Sequence, residues 1–122
     1  MLCFSLVSPN SLRGILDFHY PEIKKIRPDL RFVLVGLKSD LRDECNESSY
    51  NENAYHSRQI IPSSQIEEVK NIIGAEAYVE CSAKNNEHVV DVIEAGFRAL
   101  IAKRNENTLT LRESEQNKCQ LR

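Results

Sequence analysis

The chain has 122 residues, 41% of them apolar, with 16 basic and 18 acidic side chains. That is enough for one globular domain whose core needs no disulfide or metal staple. A net charge of −2 excludes binding to nucleic acid or an acidic membrane through overall charge. Cys3, Cys45, Cys81 and Cys119 are far apart, with no Cys-x-x-Cys pair and no basic-then-apolar signal segment ahead of them. Zinc-site and secreted-scaffold spacings are thereby excluded, and a reducing, cytosolic compartment is expected. No apolar run approaches the roughly 18 residues of a membrane-spanning helix.

In chain order, Leu2 to Val7 is almost continuously apolar and predicts a strand buried on both faces. Leu12, Ile15, Leu16, Ile23 and Ile26 then repeat at helical spacing behind Ser8-Pro9-Asn10-Ser11, whose Ser and Asn side chains suit a helix cap. Pro21 lacks an amide donor and is expected to kink or split this helix, and Pro28 to end it. Phe32 to Val35 predicts a second buried strand. Ser64 followed by Glu67 reads as a capping box opening a helix with Ile66, Val69, Ile72 and Ile73 on its apolar face, stopped by Gly74. Ala77 to Cys81 predicts the third strand, the weakest because it contains Glu80. The last helix is expected from about His88 to Lys103, with Val89, Val90, Ile93, Phe97, Leu100 and Ile101 as its buried stripe.

Two stretches are mostly polar. Residues 43–61 form an insert, too long for an ordinary loop unless it is functional or carries its own helix. Residues 105–122 read as a flexible tail after a domain at 1–104. Strands alternating with helices predict an α/β fold, a doubly wound parallel sheet of three strands with three main helices plus the insert. Ligands in such sheets bind beyond the C-terminal ends of the strands. That rule points to Ser8, to residues 36–40 and to residues 82–85. Cys3 and Cys81 are expected to act as small buried hydrophobes, and His19, His56 and His88 share no spacing that suggests a metal or catalytic role.

The second strand runs into Gly36-Leu37-Lys38-Ser39-Asp40 and the third into Glu80-Cys81-Ser82-Ala83-Lys84. In this order, each after a strand and about forty residues apart, they resemble the two guanine-recognition motifs of the Ras-like small GTPases. Leu2-Cys3-Phe4-Ser5 with Ser8-Pro9, the Pro21-Glu22-Ile23 step, Leu41-Arg42-Asp43 and the insert before Pro62 are similar to the Rho family within that group. The resemblance implies a partial P-loop small-GTPase fold, GTP or GDP as ligand, and effector and regulator proteins as partners, with switching of cytoskeletal or trafficking signals as the role.

The resemblance assigns nucleotide contacts to Lys38, Asp40, Ser82, Ala83 and Lys84. The Asp40 carboxylate would accept two parallel hydrogen bonds from the guanine N1–H and exocyclic amine, a pairing adenine does not offer. The Ala83 N–H would meet the guanine carbonyl oxygen, Ser82 would brace the loop, and the Lys38 and Lys84 stems would cover the two faces of the base. Leu37 departs from the family pattern, which has Asn or Thr there, and looser positioning of this loop is expected.

No Gly-x-x-x-x-Gly-Lys-Ser/Thr segment occurs among the four scattered glycines. The magnesium-binding threonine and the Asp-x-x-Gly of the family's switches are missing too, so Mg is expected only with an N-terminal half that this sequence does not contain. Those parts supply most of the catalysis in phosphoryl transfer, so the chain is expected not to hydrolyse GTP efficiently and to be marginally stable, with its first strand an open edge. Cys119 lies fourth from the end as in a prenylation box, but Arg122 is not a usual final residue. Both a lipidated, inner-face membrane form and an unmodified cytoplasmic form stay open. The alternative to a nucleotide switch is a non-catalytic interaction module that binds proteins through the insert and outer helices.

Overall fold

The structure, a computed structural model, describes residues 1–47 and 59–120. Its elements are β1 (Leu2–Ser5), α1 (Pro9–Gly14), a wide-turn helical segment (Ile15–His19), α2 (Tyr20–Ile26), β2 (Phe32–Leu37), α3 (Ser39–Glu47), α4 (Ser63–Ile73), β3 (Ala75–Cys81) and α5 (Val89–Gln120). The strands form one parallel sheet in the order β1-β2-β3. Leu2 to Ser5 pair with Leu34 to Leu37, and Val33 to Leu37 pair with Ala77 to Cys81, with one register shift beside Phe32. The partial doubly wound α/β architecture expected from the alternating elements is thus what forms.

Helices cover both faces of the sheet. On one, Leu2, Phe4, Phe32 and Leu34 pack with Leu12 and Ile15 from the first helical run, with Ile66, Val69 and Ile73 from α4, and with Ile61. On the other, Val33, Val35 and Cys81 meet Val92, Ala95 and Ala99 of α5. β2 therefore alternates between two cores, which is why Phe32 to Val35 carries no polar residue.

β1 is not buried on both faces and Cys3 is not a buried hydrophobe: Cys3 is exposed on the face opposite Leu2 and Phe4, because no helix among the described residues covers it there. The strand also ends earlier than its apolar run, because the chain turns through a Ser8 N–H bond to the Ser5 carbonyl at 3.0 Å. Leu6 continues the pairing singly: its N–H donates to the Leu37 carbonyl at 3.0 Å, and its carbonyl accepts from the Ile61 N–H at 3.1 Å. Ser8 stands at the helix cap position without a side-chain capping bond. Ser11 ties this corner instead, its hydroxyl accepting from the Ser5 N–H at 2.9 Å and donating to the Ser8 carbonyl at 2.6 Å. The split expected at Pro21 takes the form of two short helices, α1 and α2, divided by the wide-turn segment, with the helical run continuing through it. The turns just before Pro21 widen over Ile15–His19, with the Tyr20 N–H reaching back to the Ile15 carbonyl, a device that accommodates a residue with no donor. Ile26, counted on the buried stripe, is exposed.

Further corrections fall on the later elements. Residues 43–47 of the expected insert belong to α3, residues 59–61 lead into α4 with Ile61 buried, and residues 48–58 lie outside the described residues. The Ser64–Glu67 capping box does not form: Pro62 is at the cap position without a side-chain bond, which leaves Ser64 inside the first turn. Glu67 pairs with Lys70 at 3.3 Å instead. Gly74 ends α4 as expected, at φ 61° and ψ 41°, a left-handed conformation that glycine adopts without penalty. Ile72 points outward.

The largest difference is in α5. Small residues, Ala95 and Ala99, let it sit close to the sheet, while Val90, Ile93, Phe97, Leu100 and Ile101 are exposed. Helix also continues to Gln120 where the sequence reads as a tail. No Gly or Pro occurs after Gly96, so nothing interrupts propagation from the docked first half. Two anchors hold this helix to the loop before β2: Arg31 pairs with Glu76 and Glu106, and Lys103 donates to the Asp29 carboxylate at 2.6 Å. Lys103, with Arg27, holds the Asp29 carboxyl well below the usual carboxylate range.

A depressed carboxyl pKa contributes stability above the unfolded value, which is lost as pH falls through the folded value. Titration of Asp29 followed by carboxyl NMR is therefore expected to occur well below the ordinary 3.8, and Lys103→Ala to move it upward, part of the way to that value, because Arg27 still holds the carboxylate. A Cβ at Gly36 would meet Leu6 Cδ2 and the Tyr78 hydroxyl, both at 2.9 Å. Gly36→Ala is expected to lower unfolding stability by about 1–3 kcal/mol in denaturant titrations, because the packed interior gives way only with strain.

Candidate functional site

At the C-terminal ends of β2 and β3 two loops converge. The first passes from Leu37 directly into α3, with Lys38 at φ 63°, a left-handed conformation that costs a side-chain-bearing residue free energy and persists only where its surroundings hold it. The Leu41 N–H closes this turn on the Lys38 carbonyl at 3.1 Å. The turn puts Asp40 in the first turn of α3 at 8% exposure. The second loop leaves β3 at Ser82 and closes on itself, Ser82 and Glu87 exchanging backbone bonds of 3.0 and 2.9 Å.

The two loops are joined by one buried contact. The Ser82 hydroxyl, at 0% exposure, donates to Asp40 Oδ1 at 2.7 Å across 42 residues of sequence. The same Ser82 oxygen accepts the Asn85 N–H at 3.1 Å, so one hydroxyl fixes both the carboxylate and the curvature of its own loop. Lys84 Nζ stands 4.0 Å from Asp40 Oδ2 and donates to Glu44 of α3 at 3.1 Å. A cavity of about 430 Å³ opens between the loops, lined by Leu37, Lys38, Asp40, Leu41, Ala83 and Lys84. That volume is within the usual range for small-molecule sites.

All five residues expected to contact nucleotide are thus brought together, four of them on the cavity wall and Ser82 behind it. Asp40 keeps acceptor capacity: a carboxylate has about four lone-pair sites and Ser82 occupies one. The Ala83 N–H has no backbone acceptor among the described residues. Leu37 lines the cavity and packs with Val33, Val35 and Cys81, and bonds made by other residues tie its loop down.

Sequence reasoning missed those bonds. Arg42 of α3 pairs with Glu80 of β3, and the Tyr78 hydroxyl donates to the other Glu80 oxygen at 2.7 Å. Burial works against the charged Arg42, but Glu80 and Asp43 outweigh it and raise its pKa further. Burial, then Glu80, pushes Tyr78 up, so the phenol stays a donor. Glu80, which weakens the strand pattern, is therefore the acceptor that clamps α3 to β3 below the cavity. The signal was an acid within the apolar stretch Ala77–Cys81.

With this geometry in place, a family model described as Ras family matches residues 1–102. The chain belongs to the Ras family. Membership implies guanine-nucleotide binding and, in general terms, effector and regulator proteins as partners. For the Ras-family ligand, the base end of the nucleotide fits the residues present: an accepting carboxylate, a backbone donor and two lysine stems around one cavity.

Ser82→Ala would leave a nearly buried carboxylate without its neutral donor. The expected loss of unfolding stability is about 1–3 kcal/mol, measured by chemical denaturation, and Ser82→Thr is expected to retain most of the bond.

Proposed function

We propose that this chain is a Rho-like member of the Ras family that recognises the guanine base of GTP and GDP and serves guanine-nucleotide-dependent signalling. The observation that carries the reading is the buried Ser82–Asp40 hydrogen bond at 2.7 Å, which holds the selective carboxylate at the mouth of the cavity. Asp40 accepts the N1–H and exocyclic amine of guanine, the Ala83 N–H serves the carbonyl oxygen, and Lys38 and Lys84 border the base. Adenine presents an acceptor where guanine has N1–H, which would leave a desolvated carboxylate facing a lone pair. The Rho-like assignment rests on Leu2-Cys3-Phe4-Ser5, on Leu41-Arg42-Asp43 and on the segment between α3 and α4.

Catalysis of hydrolysis is not part of this proposal. Phosphoryl transfer depends on groups that cradle the phosphates and neutralise developing charge, and the sequence has no phosphate-loop pattern to supply them. We place the chain in the cytoplasm. Cys119 is exposed on the last turn of α5 and is the point through which a lipid would bring it to a membrane, with Arg122 unfavourable for that modification.

Titration of a fluorescent guanine nucleotide against the 122-residue chain, with magnesium, tests the proposal. Saturable binding is expected, displaced by GDP at least about a hundredfold better than by ADP and weakened at least about a hundredfold by Asp40→Ala, the scale of one buried charge-assisted pairing. Absence of binding, or equal displacement by both nucleotides, would overturn it.

A further inference from the structure

Leu37 is the last residue of β2, and it belongs to two environments at once. Its side chain packs with Val33, Val35 and Cys81 on the α5 side of the sheet and also forms part of the wall of the cavity between the two loops. A side chain held in a packed interior on one side cannot swing away from a ligand on the other. Whatever edge of a base reaches this wall therefore meets hydrocarbon.

Guanine carries two neighbouring acceptors, O6 and N7, beside its donors N1–H and the exocyclic amine. With Asp40 accepting from both donors and the Ala83 N–H serving O6, N7 is left over. The stems of Lys38 and Lys84 border the faces of the base, and the Lys84 ammonium donates to Glu44 at 3.1 Å. The wall side chains that remain are Leu37 and Leu41, and neither has a polar atom. Leu41 follows Asp40 on α3, by the N1 and amine side. Leu37 is the register partner of Cys81, two residues before Ala83, so it stands at the foot of the loop that receives O6, and N7, the neighbour of O6, falls to it.

We propose that Leu37 is a specificity-determining residue, an inference that rests on the guanine reading above: the site reads N1, the amine and O6, and leaves position 7 unread. Its ligand class is then guanine nucleotides whether position 7 is nitrogen or C–H. A site whose side chain donated to N7 would reject the 7-deaza analogue, because that donor would be left unpaired. A leucine has no donor to strand. An asparagine at the same position would bring an amide N–H to the wall.

Displacement of a fluorescent guanine nucleotide from the 122-residue chain by GDP, 7-deaza-GDP and ADP is the test. GDP and 7-deaza-GDP are expected to agree within about threefold, both well ahead of ADP. Leu37→Asn is expected to open a preference for GDP over 7-deaza-GDP of about tenfold, the scale of one hydrogen bond gained. Leu37→Ala, by contrast, should weaken both alike and leave their ratio unchanged. A loop that is merely looser moves both affinities together, so the ratio separates base reading from positioning. A preference of about tenfold or more for GDP in the unaltered chain would overturn the proposal and leave guanine selectivity over ADP standing. So would a folded Leu37→Asn variant that binds both equally. No binding, or ADP competing as well as GDP, overturns the guanine reading and this inference with it. If Leu37→Asn disturbs the fold, as circular dichroism would show, the comparison on the unaltered chain decides by itself.

Discussion

Everything in this fold hangs on β2, a strand buried on both sides. Phe32 and Leu34 enter one core and Val33 and Val35 the other, so neither helical layer can move without disturbing the strand they share. Its parallel neighbours fix the direction in which every connection must leave the sheet. Both loops of the site therefore emerge at one end, because parallel strands point their C-termini the same way. The strand also imposes a close approach: Gly36 passes within van der Waals reach of Leu6 and the Tyr78 hydroxyl, with no room for a side chain.

Positioning of the site follows from that constraint by a short chain of polar contacts. Arg42–Glu80–Tyr78 joins the start of α3 to β3, and above it Ser82 holds Asp40. Lys84 and Glu44 close the outer rim. Apart from the Tyr78–Glu80 bond inside β3, each joins the α3 side to the β3 side, so the cavity is set by two elements clamped together, not by one loop. Such networks work as units, since a partly satisfied buried polar group costs more than it contributes. The strain at Lys38 is held by the same clamp.

α5 shows how one helix can obey the amphipathic rule and still be misjudged. Its heaviest apolar stripe is real, but the sheet takes the side bearing Ala95 and Ala99, because a helix lying across a flat sheet approaches closest through small side chains. Burial against β2 and β3 decides this, and hydrophobicity does not. The stripe left outside gives the molecule a second apolar surface, set apart from the cavity between the two loops.

The amino-acid sequence by itself determined the strand–helix alternation, the three strands with β2 buried on both faces, the stop at Gly74 and the two loops that carry Lys38, Asp40, Ser82, Ala83 and Lys84. Those signals are local: continuous apolar runs, a glycine at a left-handed position, and short motifs after strands. Tertiary structure alone decided that Ser11 and not Ser8 ties the first corner, that Pro21 is absorbed by widened turns, and that Ser64 is inside a turn it was expected to cap. It also decided that Glu80 is a clamp and that α5 presents its large side chains to solvent. In each case the deciding partner is distant in sequence or on another face, and periodicity along one segment holds no information about what will pack against it.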